Sequence, residues 1–141
     1  RDRLAGVHAA AGARGQAAAL RVATGDFSIE AGVRETLALL DEASGLTALF
    51  CFSDEMAMGA LDALRQRGLR CPQDVSLVGF DDIRFAKHLN PALTTVAQPM
   101  DLLGQEAVRI LLEIFAGGMD DYQQVTLPHR LVVRGSTAAA R

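Results

Sequence analysis

Asp74-Val75-Ser76-Leu77-Val78-Gly79-Phe80-Asp81-Asp82-Ile83 decides how this chain reads. An apolar run ends in a glycine, an aromatic residue and two carboxylates. A buried parallel strand that delivers acidic groups to its C-terminal end has this pattern. In open α/β sheets, that end is where ligands bind. The stretch therefore points to a fold and to a site.

The flanking segments agree. Leu46 to Phe52 is a continuous apolar run, the pattern of a strand covered on both faces. Ser53 can cap a following helix, with Asp54 and Glu55 in its first turn. That helix runs to Arg67 and stops at Gly68. Ser28 can cap an earlier helix, in which Ile29, Val33, Leu37 and Leu40 recur on one face before Ser44-Gly45. Ala18 to Ala23 reads as a strand closed by Thr24-Gly25-Asp26, and Leu4 to Ala13 as a short Ala-rich helix. Downstream, Ile83 to Leu89 is ambiguous and Leu93 to Ala97 is extended. Pro99 opens a helix that continues to Gly117-Gly118. Gln124–Leu127 and Arg130–Val133 are two short extended pieces. Alternating helices and strands predict an α/β fold, a mostly parallel sheet with helices on both faces.

Composition narrows the function. The 141 residues suit one domain or a large part of one, and the 50% apolar content allows a sizeable core. No apolar run approaches the roughly 20 residues of a membrane helix, and the start lacks a signal-peptide pattern, so a cytoplasmic protein is expected. The net charge is −3 and Lys87 is the only lysine, which argues against a nucleic-acid grip by this segment. Cys51 and Cys71 stand alone and read as reduced thiols.

The acidic positions fall at strand ends and helix starts. Asp81 and Asp82 follow one strand, Ser53 and Asp54 another, Asp26 and Phe27 a third. Each alone is a turn or cap residue. Together, on one sheet edge, they describe a polar pocket with an aromatic wall. His8, His88 and His129 have no metal-type spacing. No Gly-rich phosphate loop is present, and no base–nucleophile pair can be assembled. The expectation is no metal, no cofactor and no enzyme. Acceptor-only carboxylates beside an apolar face suit a sugar or a nucleoside. Met58 lies off the core stripe of Ala57, Ala60, Leu61 and Leu64. It reads either as a surface methionine or as a contact with a second subunit.

Taken in order, these residues resemble the lactose-repressor/galactose-repressor (LacI/GalR) family of bacterial transcription regulators. The matching stretches are Arg3-Leu4-Ala5-Gly6, Gly25-Asp26-Phe27 with Glu30-Ala31-Gly32, and Thr47 to Cys51 with Ser53 to Ala60. Gly68-Leu69-Arg70, Pro72 to Asp82, Pro91 to Val96 with Gln98-Pro99, Leu103-Gly104 and Arg134-Gly135-Ser136-Thr137 follow. The resemblance implies a periplasmic-binding-protein-like effector domain of two α/β lobes with ligand between them. It assigns Arg3, Phe27, Asp81 and Gln98 to effector contact, and Ser53 and Asp54 to a strand end that lines the same pocket. Arg3 would donate to ligand oxygens, Asp81 accept from hydroxyls, and Phe27 stack on a ring. Asp82 is read as a turn residue. Met58, Leu61 and Leu89 match dimer-interface positions.

The same resemblance implies a fragment. Residues 1–98 correspond to the C-terminal lobe without its first strand, 99–128 to a segment of the other lobe, and 129–141 to a return. The family's helix-turn-helix has no counterpart here, so operator DNA would be read elsewhere in a full-length protein. The Asp101–Leu127 excursion is expected to pack non-natively or to be exchanged between chains. The motifs stand nearest to cytidine- and purine-responsive members, so a nucleoside or purine is favoured over a sugar. Two other readings are a sugar-binding protein for transport, which shares the fold, and a phosphoacceptor domain using Asp81 and Asp82. The second lacks a well-placed lysine.

Overall fold

A computed structural model of the chain describes residues 2–43, 45–118 and 124–139. Helix α1 spans Asp2–Ala13, α2 Ile29–Glu42, α3 Asp54–Gln66 and α4 Met100–Phe115. The strands are β1 Ala48–Phe50, β2 Ser76–Asp81, β3 Thr94–Ala97 and β4 Arg130–Val132. Among the described residues they form one sheet in the order β1-β2-β3-β4. The first three are parallel and β4 is antiparallel to β3. This is the expected mostly parallel sheet flanked by helices.

Local chemistry sets the helix limits. The Ser28 Oγ accepts the Ala31 N–H at 3.0 Å and caps α2, and the Ser53 Oγ accepts the Met56 N–H at 3.1 Å and caps α3. Each supplies an acceptor for an otherwise unpaired N–H, worth about 1 kcal/mol. Asp54 and Glu55 occupy the first turn of α3 and Arg65 the last, which matches the helix dipole. Gly68, at φ +68°, ends it, with the Leu69 N–H bonded to the Leu64 carbonyl. Ser44, the expected end of α2, lies outside the described residues.

The core is aliphatic. Leu49, Leu61, Leu64, Val75, Leu77 and Leu93 form its centre, with Ala57 and Ala60 of α3. Helices α2 and α3 touch backbone to backbone. A Cβ at Gly32 would collide with the Met56 carbonyl, and one at Gly59 with the Ile29 carbonyl. The C-terminal segment then locks the sheet. The buried Ser136 Oγ donates to the Leu77 carbonyl at 2.6 Å and accepts the Thr94 N–H at 2.8 Å.

Two expectations need correction. Ala18–Ala23 is not a strand of this sheet: Ala17–Ala19 is a 3-10 turn, and the extended residues after it join no ladder. Gln124–Leu127, expected as an extended piece, joins no strand of the sheet. In Leu46–Phe52 only Leu49 is buried, while Ala48 and Phe50 are exposed. β1 is thus an edge strand with one open side. Composition suited a strand in Ala18–Ala23, but a strand needs a neighbour on a ladder, and β1 has one on one side only.

Leu61 is 3% exposed and packs in the core of its own chain, on the expected stripe with Ala57, Ala60 and Leu64. Leu89 is half-buried against the same core, and Met58 is half-buried on α3. Helix α4 has no buried residue. Leu111, Leu112 and Phe115 all lie open, Phe115 at 81%.

Candidate functional site

The C-terminal ends of β2 and β3 and the first turn of α1 converge. The Arg3 guanidinium lies 3.8 Å from the centre of the Phe80 ring, within cation–π range. Its Nη1 donates to the Phe52 carbonyl at 2.5 Å, and its Nη2 stands 4.0 Å from the Asp81 carboxylate. The Gln98 amide donates to Asp81 Oδ1 at 2.6 Å. Arg3, Asp81 and Gln98, far apart in sequence, thus share one edge of the sheet. Phe80 and the Phe52 carbonyl were not singled out as contacts from sequence. The alternation that turns Leu77 and Gly79 inward leaves Phe80 on the other face, and that was the available signal.

A second layer holds this edge. Asp54 is fully buried. Its Oδ1 accepts the Thr95 hydroxyl at 2.6 Å and its Oδ2 accepts the Ile83 N–H at 2.8 Å. Burial raises the Asp54 carboxyl above the ordinary range, and the Asp81 and Asp82 charges add to this. The two hydrogen bonds oppose the rise without cancelling it. Gly79 leaves room for the carboxylate, because a Cβ there would strike Asp54 Oδ1. Asp82 faces the other way: its carboxylate accepts from Arg134 at 2.6 Å, and Arg134 also donates to the Leu93 carbonyl at 2.8 Å. Asp82 is therefore a pinned turn residue, as its position after the strand implied.

Two backbone positions at the site are unusual. Asp81 has φ +112° and Asp82 φ +56°. Asp tolerates the left-handed region far better than most residues. Phe27 has φ +69°, which a bulky residue rarely adopts. The turn before it is braced by Asp26, whose Oδ1 accepts both the Ser28 hydroxyl and the Ser28 N–H. Those bonds draw the Asp26 carboxyl below its usual range.

The expected contacts therefore separate. Arg3, Asp81 and Gln98 are brought together. Phe27 is 53% exposed and lines a cavity of about 400 Å³ with Phe52 and Met56. Ser53 is buried as a helix cap, and both Asp54 oxygens are taken by the protein. Cys51 is desolvated, and with Asp54 nearby its thiol is pushed up to about 12, so it stays protonated. Among the described residues, no three His, Cys, Asp or Glu side chains gather as a metal site would need. Nor is any described helix long and apolar enough to cross a membrane.

A parallel α/β lobe with a cation, a carboxylate and an aromatic ring gathered at its strand ends has the make-up of one lobe of a periplasmic-binding-type protein. The model of the periplasmic binding protein-like domain matches residues 1–137, and the chain belongs to that family, as an effector-binding domain of the LacI/GalR type. It is 44% identical over 117 residues to the HTH-type transcriptional repressor PurR of Escherichia coli O1:K1 / APEC, covering 83% of this chain and 34% of the repressor. The chain thus spans about a third of the length of the curated relatives it matches. Among solved structures, it is similar to a transcriptional regulator CelR–cellobiose complex, with TM-score 0.87 and 37% identity over 95% of this chain and 41% of that one. It is also similar to a lac repressor dimer bound to operator and the anti-inducer ONPF. The TM-score there is 0.75 and the identity 39%, over 82% of this chain and 40% of that one.

Proposed function

We propose that the chain is the C-terminal part of the effector-binding domain of a LacI-type regulator, a repressor that senses a nucleoside, a purine or a sugar. The carrying observation is the Arg3–Phe80–Asp81–Gln98 cluster at the C-terminal sheet edge. Arg3 donates to ligand oxygens, Asp81 accepts hydroxyls through the oxygen that Gln98 leaves open, and exposed Phe27 stacks on a ring. Asp54 acts from behind, holding the turn that presents Asp81. Residues 99–128 belong to the opposite lobe. Operator DNA is read by a separate segment of the full-length protein, which works in the cytoplasm as a homodimer. Met58 and Leu89 are the interface candidates, and no catalytic step is involved.

Calorimetry on the full-length regulator with cytidine, adenine and ribose as probes tests this. One probe should release heat, and Asp81→Ala should weaken it at least tenfold, since a hydrogen bond to a charged group contributes about 1.5–3 kcal/mol. Binding unaffected by Asp81→Ala would refute the site. Sugar heat without nucleoside heat would overturn the ligand preference.

A further inference from the structure

The turn after β2 is tied at both ends. At one end, Asp81 still pairs with Ala97 on the β3 ladder. At the other, the Ile83 N–H donates to Asp54. Asp82 lies between them, and its own N–H has only a long contact, 3.4 Å, to the Thr95 hydroxyl. Yet Asp81 and Asp82 both stand at positive φ, +112° and +56°. Two such residues in succession persist only where their surroundings over-determine them. The backbone ties leave the middle of the turn weakly held.

Arg134 holds that middle. Its Nη2 donates to Asp82 Oδ1 at 2.6 Å and its Nη1 to the Leu93 carbonyl at 2.8 Å. One planar fork thus joins the turn to the residue before β3. Arg134 is itself fixed at its base. Its N–H donates to the Thr94 hydroxyl at 2.9 Å, and two residues on the Ser136 carbonyl accepts the Leu77 N–H at 2.8 Å. The side chains are 18% exposed for Arg134 and 19% for Asp82, so salt and water screen the pair little.

The two neighbouring carboxylates have opposite aims. Asp82 faces Arg134, whereas Asp81 faces Gln98 and Arg3. The backbone that fixes one therefore aims the other.

We propose that Arg134 is a positioning residue: through Asp82 it fixes the turn that aims Asp81, so the C-terminal segment sets the strength of the effector site. Without Arg134, Asp82 relaxes toward negative φ, the Asp81 peptide turns with it, and the bond from Gln98 opens. The effect on effector affinity rests on the effector-site reading; the hold on Asp81 does not.

The Gln98 side-chain amide reports where Asp81 stands, because it donates to Asp81 Oδ1. Its resonance in the nitrogen–proton NMR spectrum of the 141-residue chain is assigned by its loss in Gln98→Ala. Arg134→Ala and Asp82→Asn should each move it toward the position it takes in Asp81→Ala. Asp82→Asn keeps the size and the tolerance for positive φ, so it decides the matter even if Arg134→Ala does not fold. The two changes combined should move the resonance no further than either alone, since both break one link. Arg134→Lys, a single ammonium in place of the fork, should bring it part of the way back. Gly59→Ala, which disturbs the α2–α3 crossing, should leave it in place. An unmoved resonance in folded Asp82→Asn would overturn the proposal, as would equal movement in Gly59→Ala, the mark of general loosening.

Calorimetry on the full-length regulator tests the consequence. Whichever of cytidine, adenine and ribose releases heat should bind roughly three- to tenfold more weakly to Arg134→Ala. Unchanged affinity beside a moved resonance would cut Arg134 off from the effector and sink the proposal. Binding that survives Asp81→Ala refutes the effector site instead and leaves the resonance results as they are, so the two readings fail separately.

Discussion

Asp54 shows how one side chain can serve a site it does not enter. Its carboxylate joins β3 through Thr95 and the Asp81–Ile83 turn through the Ile83 N–H. Because burial raises its proton affinity in the folded state, Asp54 favours folding most below the usual carboxylate range. That contribution is lost as pH rises through the raised value. Asp54→Asn cannot ionise. It carries a fixed cost of about 1–3 kcal/mol if its amide leaves the Ile83 N–H unmet. Urea unfolding between pH 3.5 and 7 should therefore show wild type losing ground relative to Asp54→Asn as pH rises. A pH-independent gap between the two would contradict the assignment. The acidic strand end was legible because helix caps and first-turn carboxylates are local signals. The inward aim of Asp54 was not, since it depends on Gly79 and on a threonine 41 residues away. Leu61 was legible as core for the opposite reason: helical periodicity set it on one stripe with Ala57, Ala60 and Leu64.

At the scale of elements, α2 and α3 cross at glycines, with no side chain between the two backbones. Gly59→Ala must push the helices apart and should lower stability by about 1–3 kcal/mol. Gly104→Ala on α4 has nothing within 4 Å to strike, so it should raise stability by up to about 1 kcal/mol through helix propensity. Thermal denaturation of the pair checks this. Equal shifts would show that the crossing is looser than the structure has it. The helices were legible almost to the residue, because Ser28, Ser53, Gly68 and Pro99 are capping signals. Residues 18–23 were misread as a strand because pairing is non-local: their composition suits a strand, and no described strand pairs with them.

For the whole molecule, the distribution of apolar surface is the controlling fact. The α2–α3 side of the sheet is closed, whereas α4 presents Leu102, Leu111, Leu112 and Phe115 to solvent. Such a face is an association surface. Sedimentation of the 141-residue chain should show concentration-dependent association, and α4 amides should exchange much faster than those of the central strand β2. A monodisperse monomer whose α4 is as protected as that strand would show that α4 is held within its own chain. The α/β order and the polar sheet edge were readable from sequence because each rests on strand-end chemistry. The cover for α4 was not, because a helix displays its apolar stripe whatever lies against it.

Ser136 adds a dimension of time. The middle of the sheet waits for a hydroxyl encoded 59 residues after Leu77. At about 5–20 residues per second, the ribosome needs roughly 3–12 s to deliver it. Through that interval β2 and β3 are already synthesised but unstitched, so the nascent chain is most exposed to mispairing after its core residues have emerged.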